Sequence, residues 1–297
     1  MTDIRPRRSV LYMPGSNVRA LEKARTLPAD CLILDLEDAV APDMKEMART
    51  QVIDAVRAGG YGPREIVIRM NPLSAPWGIG DLEAIAESGA DAVLVPKAET
   101  VDDVMSIGRI LSRLGAPNDL AIWLMMETPR AVLNARSIAE AVEEDAGRRL
   151  DALVIGTNDL AKETRAQMVP GRYTMLSWLS TFVAAARAND LSVIDGVYND
   201  INDADGFAAE CRQGRELGMD GKTLIHPKQV EEANRAFAPG EDEVAQARRI
   251  IEAFEQPENA GKGAISLDGR MVERLHAEIA ERTVALADAI AARGTVA

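Results

Sequence analysis

The chain of 297 residues is 47% hydrophobic and carries a formal net charge of −13, so it can bury a large core but lacks the basic surface that nucleic-acid binding needs. It has no run of about eighteen apolar residues, which a membrane span requires, and no basic segment followed by a short apolar one, as in a secretion signal. We therefore expect a cytoplasmic protein that binds neither nucleic acid nor a membrane.

Short apolar runs of strand length recur along the chain, and each run ends in polar or charged residues. Segments with the period of an amphipathic helix separate the runs, for example 44–58, 101–114 and 204–217. The runs cover residues 10–13, 31–36, 66–68, 93–95, 121–126, 153–155, 193–194 and 223–225.

This alternation predicts a parallel sheet that is covered by helices on both faces. Eight such units match a closed (β/α)₈ TIM barrel, and a doubly wound open sheet is the alternative. We predict a barrel over residues 1–240 and a C-terminal helical lid extension over residues 241–297. In either architecture a ligand binds where the parallel strands end.

Three acids, Asp35, Glu37 and Asp38, follow the second apolar run. Carboxylates beside a core need a partner, because removing them from water costs several kcal/mol or more. Such a cluster is typical of a cation site, and the alternative is that the acids cap the next helix. We assign Asp38 a catalytic role.

Arg69 and Asn71 end the third run, two residues apart, so their side chains point to one side of an extended backbone. An arginine at a barrel mouth suits a carboxylate or an enolate oxygen. The alternative is a salt bridge to a neighbouring loop acid.

Glu127 and Asp159 follow the fifth and sixth runs, which are neighbours in a barrel. Two carboxylates with waters and substrate oxygens are the usual magnesium arrangement, so we predict Mg²⁺, or Mn²⁺, at this point. The sequence contains only two histidines, His226 and His276, and no Cys/His set with zinc spacing. We interpret His226 as a structural loop residue.

Lys97 ends the fourth run and has the position of a Schiff-base lysine. Against that role, a mouth rich in carboxylates keeps its ammonium protonated.

The first 25 residues are locally basic on an acidic protein. We interpret them as a patch for a small phosphorylated ligand, with an ordinary solvated terminus as the alternative. The basic residues are Arg5, Arg7, Arg8, Arg19, Lys23 and Arg25.

Motifs at the predicted strand ends follow one another in a fixed order along almost the whole chain. They are Arg8-Ser9-x-Leu11-x-x-Pro14-Gly15, Leu34-Asp35-Leu36-Glu37-Asp38-Ala39-Val40-Ala41-Pro42, Arg69-x-Asn71, Pro96-Lys97, Glu127-Thr128-Pro129, Gly156-Thr157-Asn158-Asp159-Leu160 and Gly221-Lys222-x-x-Ile225-His226-Pro227-Lys228-Gln229. Together they resemble the citrate lyase β subunit and malyl-CoA lyase group of the HpcH/HpaI aldolase superfamily. The resemblance implies a magnesium-dependent (β/α)₈ barrel, trimeric or hexameric, that acts on CoA or acyl-carrier thioesters of hydroxy-dicarboxylic acids.

The resemblance also implies roles for single residues. Glu127 and Asp159 match the magnesium ligands, and Arg69 matches the arginine that steadies the thioester enolate. We expect Arg69, Glu127 and Asn71 to contact the substrate.

For the CoA moiety, Tyr12 and Lys23 match positions that contact CoA in malyl-CoA lyases, and we add Arg19 from the basic patch. Asn17 stands where those lyases have a second CoA-contacting arginine, a departure that bears on CoA affinity.

The implied mechanism is a retro-Claisen or aldol cleavage that releases a thioester enolate against Arg69. In reverse, acetyl-CoA condenses with glyoxylate or an oxaloacetate-type keto acid, and attack of water on the thioester makes the same site a hydrolase. The sequence leaves lyase, synthase and thioesterase open. It also leaves open a citrate lyase subunit that serves an acyl carrier protein within a complex, whereas the presence of Arg69, Glu127 and Asp159 disfavours a non-catalytic scaffold.

Near the C-terminus, Gly269-Arg270-Met271-Val272-Glu273 resembles the lid motif of the family, in which the last position is a catalytic aspartate. We expect Glu273 to act as an acid/base at the barrel mouth of a neighbouring subunit. Because glutamate is one methylene longer than aspartate, its carboxyl group is displaced by about 1 Å.

Overall fold

The computed structural model describes residues 4–294. Eight parallel strands close into a barrel in the order of the chain, which confirms the predicted (β/α)₈ barrel and excludes the open sheet. The strands are β1 (Ser9–Pro14), β2 (Cys31–Asp35), β3 (Glu65–Arg69), β4 (Ala92–Val95), β5 (Ala121–Met126), β6 (Leu150–Ile155), β7 (Ser192–Asp195) and β8 (Gly221–Leu224).

Helices follow the strands, and several begin at a side-chain cap. Asn17, Thr100 and Thr128 each accept a hydrogen bond from a backbone N–H in the first turn of the helix that follows, as Asp203 does. The helices are α1 (Val18–Ala24), α2 (Lys45–Ala58), α3 (Gly78–Ala86), α4 (Val101–Arg113), α5 (Pro129–Glu140), α6 (Thr157–Thr164), α7 (Leu176–Arg187), α8 (Ala204–Glu216) and α9 (Val230–Phe237).

The barrel has two buried layers because successive side chains of a strand point to opposite faces. Leu32 and Leu34 of β2 point outward, into the large cluster between sheet and helices. Cys31 and Ile33 point inward and join an inner cluster with alternate residues of the other strands. The inner cluster comprises Val10, Cys31, Ile33, Val67, Ala92, Leu94, Trp123, Met125, Ala152, Val154 and Ile194.

The end of the barrel where the strands begin is closed by a buried ion-pair cluster around Arg7. Its guanidinium donates to both carboxylate oxygens of Glu65, at 2.8 and 2.7 Å, and contacts Asp151. It also lies 4.8 Å from the centre of the Trp123 ring. This cluster closes the end opposite the mouth.

The predicted basic patch is therefore divided. Arg7 is buried, and Arg8 pairs with Asp30, also at the strand starts. Arg25 pairs with Glu22 within its own helix turn. Arg19 and Lys23 of α1 remain as exposed candidates for a phosphorylated ligand, and Arg5 is exposed but precedes β1. The interpretation of the whole N-terminal segment as one patch was wrong, because the direction of β1 carries its first residues away from the mouth.

Contacts divide the chain after Phe237, and the second unit consists of residues 238–294 together with residues 4–6. It contains α10 (Glu241–Glu255), a hairpin of β9 (Ala264–Leu267) and β10 (Arg270–Glu273), and α11 (Arg274–Gly294). The hairpin was not predicted. Its two turn residues, Asp268 and Gly269, both have positive φ, as a two-residue turn of this kind requires. The predicted domain boundary at residue 240 stays a prediction.

Within residues 4–294, every helix is too short or too polar to cross a bilayer.

We expect Arg7→Ala to lower the free energy of unfolding by about 3–5 kcal/mol, because it removes the guanidinium that balances the charge of the buried Glu65 carboxylate. Chemical denaturation measures the loss. Arg136→Ala is the control, since Arg136 forms an exposed pair with Glu140, and it should change stability by less than about 1 kcal/mol. Equal effects of the two substitutions would contradict the assigned role of Arg7.

Candidate functional site

The inner face of the strands ends in charged residues at the mouth of the barrel. Asp35, Arg69 and Glu127 each lie two positions beyond an inward-facing core residue, at the end of β2, at the end of β3 and directly after β5. All three are buried. The site is therefore built on the sheet itself, and the strand geometry brings its charges together.

The Arg69 guanidinium is shared among neighbouring carboxylates. It donates to both oxygens of Asp35, its register partner on β2, at 2.7 and 2.5 Å. Its third nitrogen lies 2.9 Å from Glu37 Oε2 and 3.5 Å from Asp38 Oδ2. Arg69 thus forms the salt bridges to loop acids that the sequence left as the alternative. Asp38, which we assigned a catalytic role, is 61% exposed and lies at the outer side of this pair.

Tyr12 lies inside the barrel, against the inner cluster. Its ring centre is 5.0 Å from the Arg69 guanidinium, and its hydroxyl lies 3.8 Å from Met125 Sδ. Burial raises the pKa of Tyr12, so the phenol stays protonated at neutral pH. The structure thus places Tyr12 beside the reacting end of the site, apart from the exposed Arg19 and Lys23 with which we grouped it.

The acidic loop after β2 is held from both sides. Asp35 accepts hydrogen bonds from the backbone N–H groups of Glu37 and Ala39, at 2.8 and 3.0 Å. The buried ammonium of Lys45 donates to the carbonyl oxygens of Leu36 and Glu37, at 2.9 and 2.6 Å. The backbone of Glu37 is therefore fixed at the edge of the mouth.

Asn71 supports the same loop. Its amide nitrogen donates to the Leu36 carbonyl at 3.0 Å and to Asp81 Oδ2 at 2.6 Å, and Asp81 also pairs with Arg49. The side-chain donors of Asn71 are thus used within the protein. A contact between Asn71 and substrate stays a prediction and would have to involve its Oδ1 atom.

Glu127 is a carboxylate in an unfavourable place. It is only 2% exposed, and its Oε1 accepts a hydrogen bond of 2.8 Å from the backbone N–H of Lys97. Burial raises the pKa of Glu127 to about 8, and the negative charges of Glu37 and Asp159 add to the rise. The negative charges of this site repel one another unless a cation or a proton binds.

Glu37 shows the same effect. Burial raises the pKa of its carboxyl group to about 7, against the attraction of Arg69, and the charges of Asp38 and Asp35 contribute to the rise. The sequence identified Glu37 only as one of three acids. Its burial could not be predicted without knowing which way the loop after β2 folds.

Lys97 stays a cation. Burial opposes its charge, but the carboxylates of Glu37 and Glu127 outweigh that effect and raise its pKa above the ordinary value. Its Nζ lies 3.9 Å from Glu37 Oε1. A raised pKa keeps the amine protonated and non-nucleophilic at neutral pH, as the sequence predicted, which argues against a Schiff base.

The two predicted magnesium ligands come together at the mouth. Asp159 is the third residue of α6, directly after β6, and is close enough to Glu127 to raise its pKa. Within residues 4–294 no group of three or more Asp, Glu, His or Cys is arranged to hold a metal. Two hard carboxylate oxygens with open positions fit magnesium, which retains waters and binds substrate oxygens.

Two other strand ends do not join the site. His226 accepts a hydrogen bond on Nδ1 from the backbone N–H of Lys228, at 3.1 Å, in agreement with a structural loop histidine. Asp195 ends β7 but points outward, where it pairs with Arg172 and Lys222 at 2.6 and 2.9 Å. Burial opposes the charge of Asp195, but Lys222 and Arg172 lower its pKa, so this buried cluster is a structural one.

Glu273 ends β10 in the C-terminal unit. Its backbone N–H donates to Nδ1 of His276 at 2.9 Å, and its half-buried carboxylate forms no hydrogen bond or ion pair within the described part of the chain. Its role at a neighbouring mouth stays a prediction.

Comparison with known proteins supports the resemblance. Residues 8–227 match the family model described as HpcH/HpaI aldolase/citrate lyase. The chain is 47% identical to a (3S)-malyl-CoA thioesterase of Cereibacter sphaeroides, over 97% of this chain and 96% of that protein. It is 35% identical to citrate lyase subunit beta of Escherichia coli, over 91% and 89% of the two chains. The structure is similar to that of CitE from Mycobacterium tuberculosis in complex with magnesium, acetoacetate and coenzyme A, with a TM-score of 0.73, 28% identity and coverage of 95% and 98%.

We expect the metal-free protein to lose stability as the pH rises from about 5 to about 8. The pKa of Glu127 is about 8 in the folded state against an ordinary value of 4.5, so the folded state binds more protons than the unfolded state within this interval. The free energy of unfolding therefore falls with pH. Glu127→Gln should reduce this fall, measured by denaturation in the presence of a chelator.

Glu144→Gln provides the matched control, because Glu144 is exposed. It should leave the pH dependence of stability unchanged. If wild type and Glu127→Gln lose the same stability between the two pH values, Glu127 does not carry the predicted charge repulsion.

Proposed function

Because the chain belongs to the HpcH/HpaI aldolase/citrate lyase family, we propose that it is a magnesium-dependent enzyme that cleaves or forms a carbon–carbon bond in a CoA thioester of a 3-hydroxy-dicarboxylic acid. Malyl-CoA, the methylmalyl-CoA isomers and citryl-CoA are the candidate substrates. The observation that carries the proposal is that a buried Arg69 and the Glu127 and Asp159 carboxylates share one barrel mouth.

Glu127 and Asp159 would hold the magnesium ion, which when bound supplies Lewis-acid polarisation of a substrate oxygen. The similar CitE structure is a complex with magnesium and coenzyme A, which supports a magnesium ion in this fold. Around that point, the side chains of Glu127, Arg69 and Glu37 are buried.

Arg69 would stabilise the oxygen of the thioester enolate. Asp35 holds two of its nitrogens in a bidentate pair, which fixes the plane of the guanidinium, and Tyr12 lies against its face. The remaining nitrogen faces Glu37 and the largely exposed Asp38. Substrate oxygen would compete for this nitrogen without disturbing the pair with Asp35.

Thioester hydrolysis is the second candidate function. The 47% identity with a (3S)-malyl-CoA thioesterase, over nearly the whole of both chains, favours it. The same Arg69 nitrogen would stabilise the oxyanion that forms when water attacks the thioester carbonyl. The likeness to citrate lyase subunit beta supports an acyl carrier protein as an alternative carrier, in a complex.

We also propose a homo-oligomer, a trimer or hexamer, in which Glu273 serves the mouth of a neighbouring copy. Large apolar side chains are exposed at 40–52% where helices or loops leave the mouth side of the barrel, and a neighbouring copy would cover them. They are Val18, Met47, Ile79, Ile201 and Ile225. Arg19 and Lys23, both exposed on α1, are the candidates for contact with CoA phosphates.

The test of the proposed function is incubation of the protein and magnesium with malyl-CoA, methylmalyl-CoA isomers and citryl-CoA. Lysis should release glyoxylate or oxaloacetate, whereas free thiol without an oxoacid indicates hydrolysis.

Glu127→Ala and Asp159→Ala should each abolish turnover and calorimetric magnesium binding.

Arg69→Lys should lower kcat by about 10²-fold, because it loses the planar fork that binds an oxyanion.

Arg130→Lys is the control for Arg69→Lys, since Arg130 is largely exposed and pairs with Glu99. It should leave kcat unchanged. Unchanged magnesium affinity in both carboxylate variants would show that the metal assignment is wrong, and turnover of none of these thioesters would reject the substrate class.

For Glu273, we expect Glu273→Gln to lose the protonation or hydrolysis step with little change in substrate affinity, because the amide cannot transfer the proton. Oligomers reassembled from Glu273→Gln and Arg69→Ala protein should recover activity if the two residues act from different chains. Mixtures that stay inactive after verified subunit exchange would contradict a shared site.

A further inference from the structure

Lys97 has an unusual backbone. It follows β4 and Pro96 with a φ of 52°, in the left-handed region that is strained for a non-glycine residue. Such strain persists only where the surrounding structure requires the conformation. Lys97 contacts Glu127 through its backbone, and this contact suggests a function for the strained conformation.

The backbone N–H of Lys97 points at Glu127. The nitrogen lies 2.8 Å from Oε1, so one of the two carboxylate oxygens is fixed by the main chain. The other oxygen, Oε2, lies beside Gly156, where an added Cβ would be 2.7 Å from it and 2.5 Å from Glu127 Cβ. Glu127 is thus confined between a donor on one side and a residue without a side chain on the other.

Gly156 begins the turn that leads to Asp159. The carboxylate oxygen that is not bonded to Lys97 therefore lies next to the segment that carries the other proposed metal ligand. A carboxylate with one oxygen held by the protein has the other oxygen in a defined place for a cation.

The side chain of Lys97 has a separate environment. Its ammonium is 46% exposed and lies 3.9 Å from Glu37 Oε1. Main chain and side chain of one residue thus face two different carboxylates, and the strained main chain can be tested apart from the charge.

We propose that Lys97 is a positioning residue for the divalent cation, and that its left-handed backbone N–H orients Glu127 so that only Oε2 is offered to the metal. The inference rests on the proposed role of Glu127 as a metal ligand. It assigns the effect to the backbone of Lys97, with the ammonium unnecessary for metal binding.

The test is calorimetric titration of the substrate-free protein with magnesium. Lys97→Gly and Lys97→Gln retain the N–H, and both should bind magnesium at least as tightly as wild type, since removal of an ammonium from an acidic mouth favours a cation. Lys97→Val should bind magnesium at least tenfold more weakly, because a β-branched residue disfavours positive φ and moves the N–H away.

Asp190 provides the matched control. It also has positive φ, at 55°, and is exposed in the turn before β7, at the opposite end of the barrel from the mouth. Asp190→Val should lower stability as Lys97→Val does but leave magnesium affinity unchanged. If Lys97→Val does not fold, replacement of residue 97 by the α-hydroxy analogue of lysine removes the N–H alone and should give the same tenfold loss.

Wild-type magnesium affinity in the variant without the N–H, or a loss of affinity in Lys97→Gln, would overturn the inference. Glu127→Ala separates this outcome from failure of the proposed function. If Glu127→Ala abolishes magnesium binding while removal of the N–H does not, the metal site stands and the role of Lys97 is wrong. If Glu127→Ala also retains magnesium, the assignment of the metal site itself fails.

Discussion

The bidentate pair between Arg69 and Asp35 is the interaction on which the mouth of the barrel depends. The two residues are register partners at the ends of neighbouring strands, so the strand register alone brings them together, without any contribution from a loop. Burial of both charges is costly, and the cost is offset by two short hydrogen bonds and by the Tyr12 ring. Asp35 also accepts hydrogen bonds from two backbone N–H groups of the following loop. The same carboxylate therefore fixes both the guanidinium of Arg69 and the loop that carries Glu37.

Negative charge exceeds positive charge in this mouth. The carboxylates of Asp35, Glu37, Asp38, Glu127 and Asp159 face Arg69 and Lys97, and the ammonium of Lys45 is a third cation, bonded to carbonyl oxygens of the acidic loop. Arg69 largely neutralises Asp35, and the 3.9 Å separation of Lys97 from Glu37 is too long for a strong pair. Burial raises the pKa of both Glu37 and Glu127, and the remainder of the negative charge adds to the rise. Either protons or a divalent cation must balance it, and at neutral pH a cation relieves more repulsion than a partial proton does.

The sequence predicted the barrel well because each strand is a continuous apolar run between helical segments, a pattern that requires burial on both faces. It also predicted which strand ends meet, as Arg69, Glu127 and Asp159 show. It could not predict which end or face of the barrel a side chain points to. Arg7 and Arg8 lie at the start of β1 and point away from the mouth, and Asp195 ends a strand but faces the outer helices. Whether a side chain faces inward depends on register and closure, which one apolar run does not reveal.

The charged residues of the mouth do not themselves decide between lysis and hydrolysis. Carbon–carbon cleavage places negative charge on the thioester oxygen as an enolate, and attack of water places it on the same oxygen as a tetrahedral oxyanion. A donor at the position of Arg69 stabilises both, so one framework is compatible with relatives that carry different names. The two reactions differ in where a proton is delivered and whether water reaches the carbonyl carbon. Within the mouth, Tyr12 and Lys97 hold their protons because their pKa values are raised, and Arg69 is a permanent cation. The choice of reaction therefore depends on the groups of lower pKa, Glu37 within the mouth among them, and on how closely each approaches the thioester carbon.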